Sequence, residues 1–336
     1  MLIGEIYSTI IYCFATFGLF SNLFLIWLIL RYTMKEMQVY SKILLQTCFV
    51  DIVGICMFVV SQPVFVADNG IGTTWNYGPI HFLPNPWQCI LLRLNHFMTR
   101  FTSMNVSTLF IYRYFTVVRG VDIKFKHQLL LIFVVMLPNI GLNVCAYFSN
   151  CPSPENEYLK NLELAKMLGL DNYTIENYVV GLRSRTNDLS NFTATYASTL
   201  AIANYIIIIF CGIRIQICVY RHCKGVEMTQ LRNMNKQMSI VLGAQALLPL
   251  ITFLSQIYNN FNALINLPVI YSSYIGTFLP SSLASLIAVL NPIVTILSVR
   301  NYRQIIFRCK NNSNINQVAP MPETSMPDRT IQYLNN

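Results

Sequence analysis

Between Trp87 and Arg119 the polar residues Cys89, Arg93, His96, Arg100, Ser103 and Ser107 recur at three- and four-residue steps in an otherwise apolar run. That spacing puts them on one face of a helix. The 24 residues from Cys89 to Arg113 cover about 36 Å at the α-helical rise, enough to cross a hydrocarbon layer of about 30 Å. Cys89 and Arg113 are therefore expected near opposite membrane faces, with Arg100 about 16 Å below Cys89. A charge facing hydrocarbon costs at least about 2.5 to 3.5 kcal/mol, so this face must look into protein. The chemistry it offers is recognition: Arg93, His96 and Arg100 are the candidate ligand-binding set, and His96 with Arg100 would favour an anionic or hydrogen-bond-accepting small molecule. Other uses compete. Arg93 is shallow enough to snorkel or to pair with an acidic outer loop, and Arg100 is predicted within about one turn of the depth of Asp51, which could neutralise it.

Nothing on this face or elsewhere has the pattern of covalent catalysis. The chain lacks a phosphate loop, HExxH and GxSxG. No CxxC or Cys/His set has zinc spacing, and His81, His96, His127 and His222 are scattered. The reading is therefore not an enzyme, with no cofactor and no metal. Cys13, Cys48, Cys56, Cys211 and Cys218 lie in apolar runs, where a free thiol acts as a small hydrophobe. With 54% hydrophobic and 11% charged residues, and a mean hydropathy of +0.48, too little polar surface remains to coat a soluble globule of 336 residues. The net charge of +9 is then a question of which side of the bilayer the bases occupy, not of nucleic acid.

Seven apolar segments are predicted to span the bilayer, at about 6–30, 41–66, 87–118, 128–148, 192–219, 238–258 and 269–299. The first has no basic residue before Arg31 and is longer than a signal-peptide core, so it is read as an uncleaved span. Pro63, Pro138, Pro249, Pro280 and Pro292 fall inside these segments, where each removes a helix hydrogen bond and invites a kink. The intervening ADNGIGTTWNYGPIHFLPNPW reads as a loop by composition. An amphipathic helix is expected at about 300–309. Residues 1–310 thus form an all-α, seven-transmembrane helix bundle, and 311–336 a disordered tail.

Seventeen Lys and Arg lie on segments sharing a side with the C-terminus, against four on the opposite side. The positive-inside rule puts the N-terminus outside and the C-terminus in the cytoplasm. Sequons at Asn172 (NYT) and Asn191 (NFT) fall on the outer side and are the glycosylation candidates. Cys89 and Cys151 share the oxidising side, and a disulfide between them would pin the long outer loop over the mouth of the bundle. Cys145 as partner, or no bridge, is the alternative. The basic inner loops fix topology and also meet anionic lipid, so the bilayer is itself a partner. Cys309, in FRCK after the amphipathic segment, is a possible palmitoylation site.

The strings YSKILLQTCFVDI (Tyr40 to Ile52), FIYRYF (Phe110 to Phe115) and NPIVTILSVRNYR (Asn291 to Arg303) resemble hallmarks of the nematode serpentine chemoreceptors of the Str superfamily, and most those of class D (Srd). The resemblance implies a seven-transmembrane G-protein-coupled receptor for a small chemical cue (odorant), coupled to a heterotrimeric G protein and lying in the plasma membrane of a sensory cilium. It also places Tyr112, Arg113 and Tyr114 at the G-protein-facing end of the third span. The acid that usually precedes this arginine is Tyr112 here. Asn291 and Pro292 resemble the NPxxY element of the seventh span, with Thr295 where its tyrosine would stand. Asn22, Asp51 and Asn291 would form a buried polar network. The alternative is a seven-span ligand-gated channel or transporter. The absence of an inverted repeat of broken helices weakens the transporter, and insect-type odorant receptors, whose N-terminus is inside, are distinguished by the side on which residue 1 lies.

Overall fold

The computed structural model describes residues 2–32, 38–68, 71–84, 86–121, 123, 125–151, 181–184, 188–222, 239, 241, 243–248, 250 and 274–308. Its helices are α1 (Leu2–Tyr32), α2 (Gln38–Ser61), α3 (Trp87–Val117), α4 (Phe125–Asn150), α5 (Asp188–His222), α6 (described within 239–250), α7 (Tyr274–Ser298) and the short α8 (Arg300–Arg308). The sixth predicted span beyond 250, the start of the seventh, Cys309 and the tail lie outside the described residues. Helices α1, α2, α4 and α5 are each long and apolar enough to cross a bilayer. At 31 residues α3 is also long enough, but the polar residues Arg93, His96 and Arg100 in its N-terminal half dilute its hydropathy. Outward-facing Leu130, Phe133, Val134 and Leu137 on α4, and Ile202, Ile206, Ile209 and Ile213 on α5, give the apolar exterior that lipid requires.

Helix α1 packs on α7 and α2, α2 packs on α3, and α3 packs on α4 and α5 as well. A Cβ on Gly18 of α1 would come within 2.8 Å of the Ile55 side chain and 2.9 Å of Val289. Only glycine lets α1 close on α2 and α7 there. At one end of the bundle, Leu25, Leu28, Leu44, Val241, Val299 and Tyr302 form a core joining α1, α2, α6, α7 and the anchor of α8. A second core, including Ile43, Leu109, Phe110, Tyr112 and Ile208, joins α2, α3 and α5. Pro138 sits within α4, which is continuous through it, and its carbonyl accepts a 3.1 Å bond from Tyr196 of α5, so this turn is tied to the neighbouring helix. Asn139 binds the Phe97 carbonyl of α3 at 3.3 Å.

The segment after α2 departs from the sequence reading. The second span ends at Ser61, and Gln62 takes a left-handed backbone with φ 40. Pro63 therefore kinks no helix: it opens strand β1 (Pro63–Asp68). The stretch expected to be an irregular loop is a hairpin of β1 with β2 (Ile71–Asn76), and β3 (Gly181–Ser184) from the segment between α4 and α5 adds to β2 in antiparallel register. β-branched residues on both strands and an Asn69-Gly70 pair between them supply the hairpin signal. A single 3-10 turn, Pro79–Phe82, leads into α3.

Candidate ligand and signalling site

Helix α3 is fixed at both ends before its polar face comes into play. At its N-terminus Gln88 donates to the carbonyls of His81 (3.1 Å) and Leu83 (2.6 Å), clamping the helix to the preceding turn. One residue on, Cys89 is disulfide-bonded to Cys151, with a Cα–Cα distance of 6.0 Å. Cys145, the alternative partner, is a free thiol. At its C-terminus the Tyr114 carbonyl accepts from both Val118 and Arg119, and Gly120 adopts φ 63, the left-handed position that ends helices and favours glycine.

Along the half of α3 next to the disulfide, Arg93, His96 and Arg100 recur at three- and four-residue steps and so stand on one helix face. Arg93 Nε and Arg100 Nη1 are buried and have no hydrogen-bond partner. Asp51 does not neutralise Arg100. Both its carboxylate oxygens accept from Asn291 Nδ2, at 3.1 and 3.3 Å. Gly54 of α2 faces the Thr102 hydroxyl of α3, and Asp51, three residues before Gly54, looks toward α7.

Asp51 instead belongs to a polar layer deeper in the bundle. Asn22 donates to the carbonyls of Gly18 (2.9 Å) and Ala288 (3.1 Å). Gln245 of α6 donates to Thr295 Oγ1 at 3.3 Å, and Thr295 donates to the Asn291 carbonyl at 2.9 Å. Asn22, Asp51, Gln245, Asn291 and Thr295 line one crevice with Pro292, so four helices meet through side chains. The sequence pointed to three of these residues. Gln245 and Thr295 join them only in three dimensions, since α6 carries no motif that marks Gln245. The side-chain oxygens of Asn22, Gln245 and Asn291 are buried without a hydrogen-bond partner.

At the other end of α3, Arg113 is 2% exposed and donates through Nη1 to Ser239 Oγ of α6 at 3.3 Å. Tyr112 is buried in the core with α5, and Tyr114 sets its ring against Phe210 of α5 at 6.2 Å. The YRY segment therefore grips α5 and α6 together. Of the two sequons, Asn172 lies outside the described residues. Asn191 is exposed within the first turns of α5, while the Thr193 hydroxyl is buried, donating to the Leu189 carbonyl at 2.6 Å beside Ser149.

The described residues form a helix bundle around one polar helix, α3, bridged at one end and gripping α5 and α6 at the other, with four helices long and apolar enough to span a membrane. The family model described as serpentine type 7TM GPCR chemoreceptor Srd matches residues 7–308. The chain belongs to this family, which is one of chemosensory receptors in the membrane and not of enzymes. Among curated proteins no sequence matches it significantly.

Proposed function

We propose that the chain is a multi-pass receptor of the plasma membrane, in a sensory cilium, that reports a small external molecule to a heterotrimeric G protein. Its N-terminus and the β1–β2–β3 cap are outside, and its C-terminus is cytoplasmic, an orientation supported by the distribution of Lys and Arg. The molecule enters under the cap and contacts Arg93, His96 and Arg100. It stabilises a different arrangement of α5, α6 and α7, relayed through Asn22, Asp51, Asn291 and Pro292 to Tyr112, Arg113 and Tyr114, where the Gα subunit docks. A ligand shifts such an equilibrium only by its differential affinity for the two arrangements.

The observation that carries this reading is the Arg113–Ser239 contact at 3.3 Å. It joins the helix bearing the outer polar face to α6 at the inner end. Asn172 is the stronger glycan site, because the Thr193 hydroxyl next to Asn191 is buried; Cys309 is the acylation site beyond α8. The test is a reporter cell screened with small odorants. The native chain should give a G-protein-dependent signal to at least one, and Arg113→Ala, at equal surface level, should lose about 90% or more of it, as removal of over 1.4 kcal/mol of coupling energy would. A response undiminished in Arg113→Ala sinks the assignment.

A further inference from the structure

Among the described residues no carboxylate neutralises Arg93 or Arg100 of α3, and that identifies the chemical class of the cue. Within the helices listed above, the acids are Glu5, Asp51 and Asp188. Glu5 and Asp188 are exposed near helix starts, and Asp51 is taken by Asn291. Residues 251–273, which join α6 to α7, contain no acid either. Two guanidinium groups therefore stand on one face of α3 with no carboxylate for either within the described spans, and each has a buried N–H unpaired. Removing one member of a buried ion pair strands the other at a large cost, and a site holding like charges carries that cost permanently. Water satisfies an N–H but does not cancel the charge, and low-dielectric walls concentrate a positive field.

We infer that this locality is a binding site for one anionic head group, a carboxylate, sulfate or phosphate, held jointly by Arg93 and Arg100 with His96 between them. The helix spacing supports joint capture: the arginines are seven residues, two turns, apart on one face, and long side chains converge across that interval. The fork of N–H donors on each guanidinium matches oxyanion geometry. A neutral or cationic cue of the same size meets uncancelled positive charge, so discrimination is by charge first and shape second. This inference rests on the proposal that the cue binds at the outer half of α3.

The test separates the two. Receptor in phosphatidylcholine nanodiscs is heated with octanoate, octylsulfonate, octylphosphonate, octan-1-ol or octylamine, probes that differ only at the head. One or more anionic heads should raise Tm by about 2 to 4 °C, about 1 kcal/mol of linkage for a chain of this size, with no rise from the alcohol or amine. Arg93→Gln and Arg100→Gln should each abolish that shift, and without ligand should melt at or above the native temperature, since a repelling buried charge has gone. A structural role for the arginines predicts the reverse, a lower Tm in both variants. A second preparation containing phosphatidic acid distinguishes the source: if lipid phosphate is the ligand, the nanodisc itself supplies the rise and octanoate adds nothing. Shifts independent of head charge, no shift with any anion in either nanodisc, or destabilised glutamine variants overturn the inference. A head-group-specific shift in a receptor silent in the reporter cell leaves the anion site standing and removes the signalling proposal. A reporter response confined to neutral molecules does the opposite.

Discussion

Gln62 combines two unfavourable features at one residue. Its backbone sits at φ 40, which costs a residue with a Cβ of order 1 to 3 kcal/mol, and its side chain is fully buried with neither amide atom bonded. Replacing it with glycine relieves the strain and removes both polar atoms, against about 0.5 to 1 kcal/mol of added chain entropy. Gln62→Gly is expected to raise Tm by a few degrees in a nanodisc melt; a lower Tm would mean that the amide has a partner stronger than the strain. Arg113 poses the converse case, a buried cation whose bond to α6 ends on a neutral hydroxyl. A charge-assisted bond is roughly twice as strong as a neutral one. Ser239→Asp should therefore strengthen the tie and lower ligand-independent signalling several-fold, while Ser239→Ala raises it. Equal basal output from both variants, at matched surface levels, would show that this contact does not hold the resting arrangement.

The elements differ in how far the sequence declares them. Long apolar segments fixed α1, α4 and α5 to within a few residues, because lipid demands a minimum length and excludes polar side chains along it. The hairpin after α2 was hidden by its composition: Gly, Pro and Asn read as loop, while the strand signal rests on the short runs Val64 to Val66 and Thr73 to Trp75 around an Asn-Gly pair. Its third strand comes from residues more than a hundred positions later, a pairing that no local pattern encodes. The pairing of Asp51 with Asn291 was anticipated as a network, whereas its rivalry with Arg100 needed the azimuth of α2, which depth counting does not give. The bridge from Cys89 to Cys151 fastens the end of α4 to the start of α3. Closing a loop with a sequence separation of 62 contributes about 4 kcal/mol in a chain-entropy account. Cys89→Ser and Cys151→Ser are each expected to lose most surface expression in a non-permeabilised antibody assay, with Cys145→Ser near the native level; normal trafficking of the first two would show the bridge to be dispensable.

On the scale of the whole molecule, one polar helix inside an apolar shell makes the two ends of the bundle unequal, and orientation decides what each end does. The bridged, strand-covered end needs an oxidising compartment, because a disulfide does not persist against cytosolic thiols. The opposite end carries the excess of Lys and Arg, and such residues are retained on the cytoplasmic side during insertion. Both arguments support the proposed orientation, with residue 1 outside, by independent physics. An epitope fused to the N-terminus should therefore stain in intact cells, one fused to the C-terminus only after permeabilisation, and a glycosidase should increase electrophoretic mobility in native protein but not in Asn172→Gln. Inverted staining would place the disulfide in a reducing compartment, leave Arg93 and Arg100 open to cytosolic anions instead of external ones, and overturn the proposed orientation.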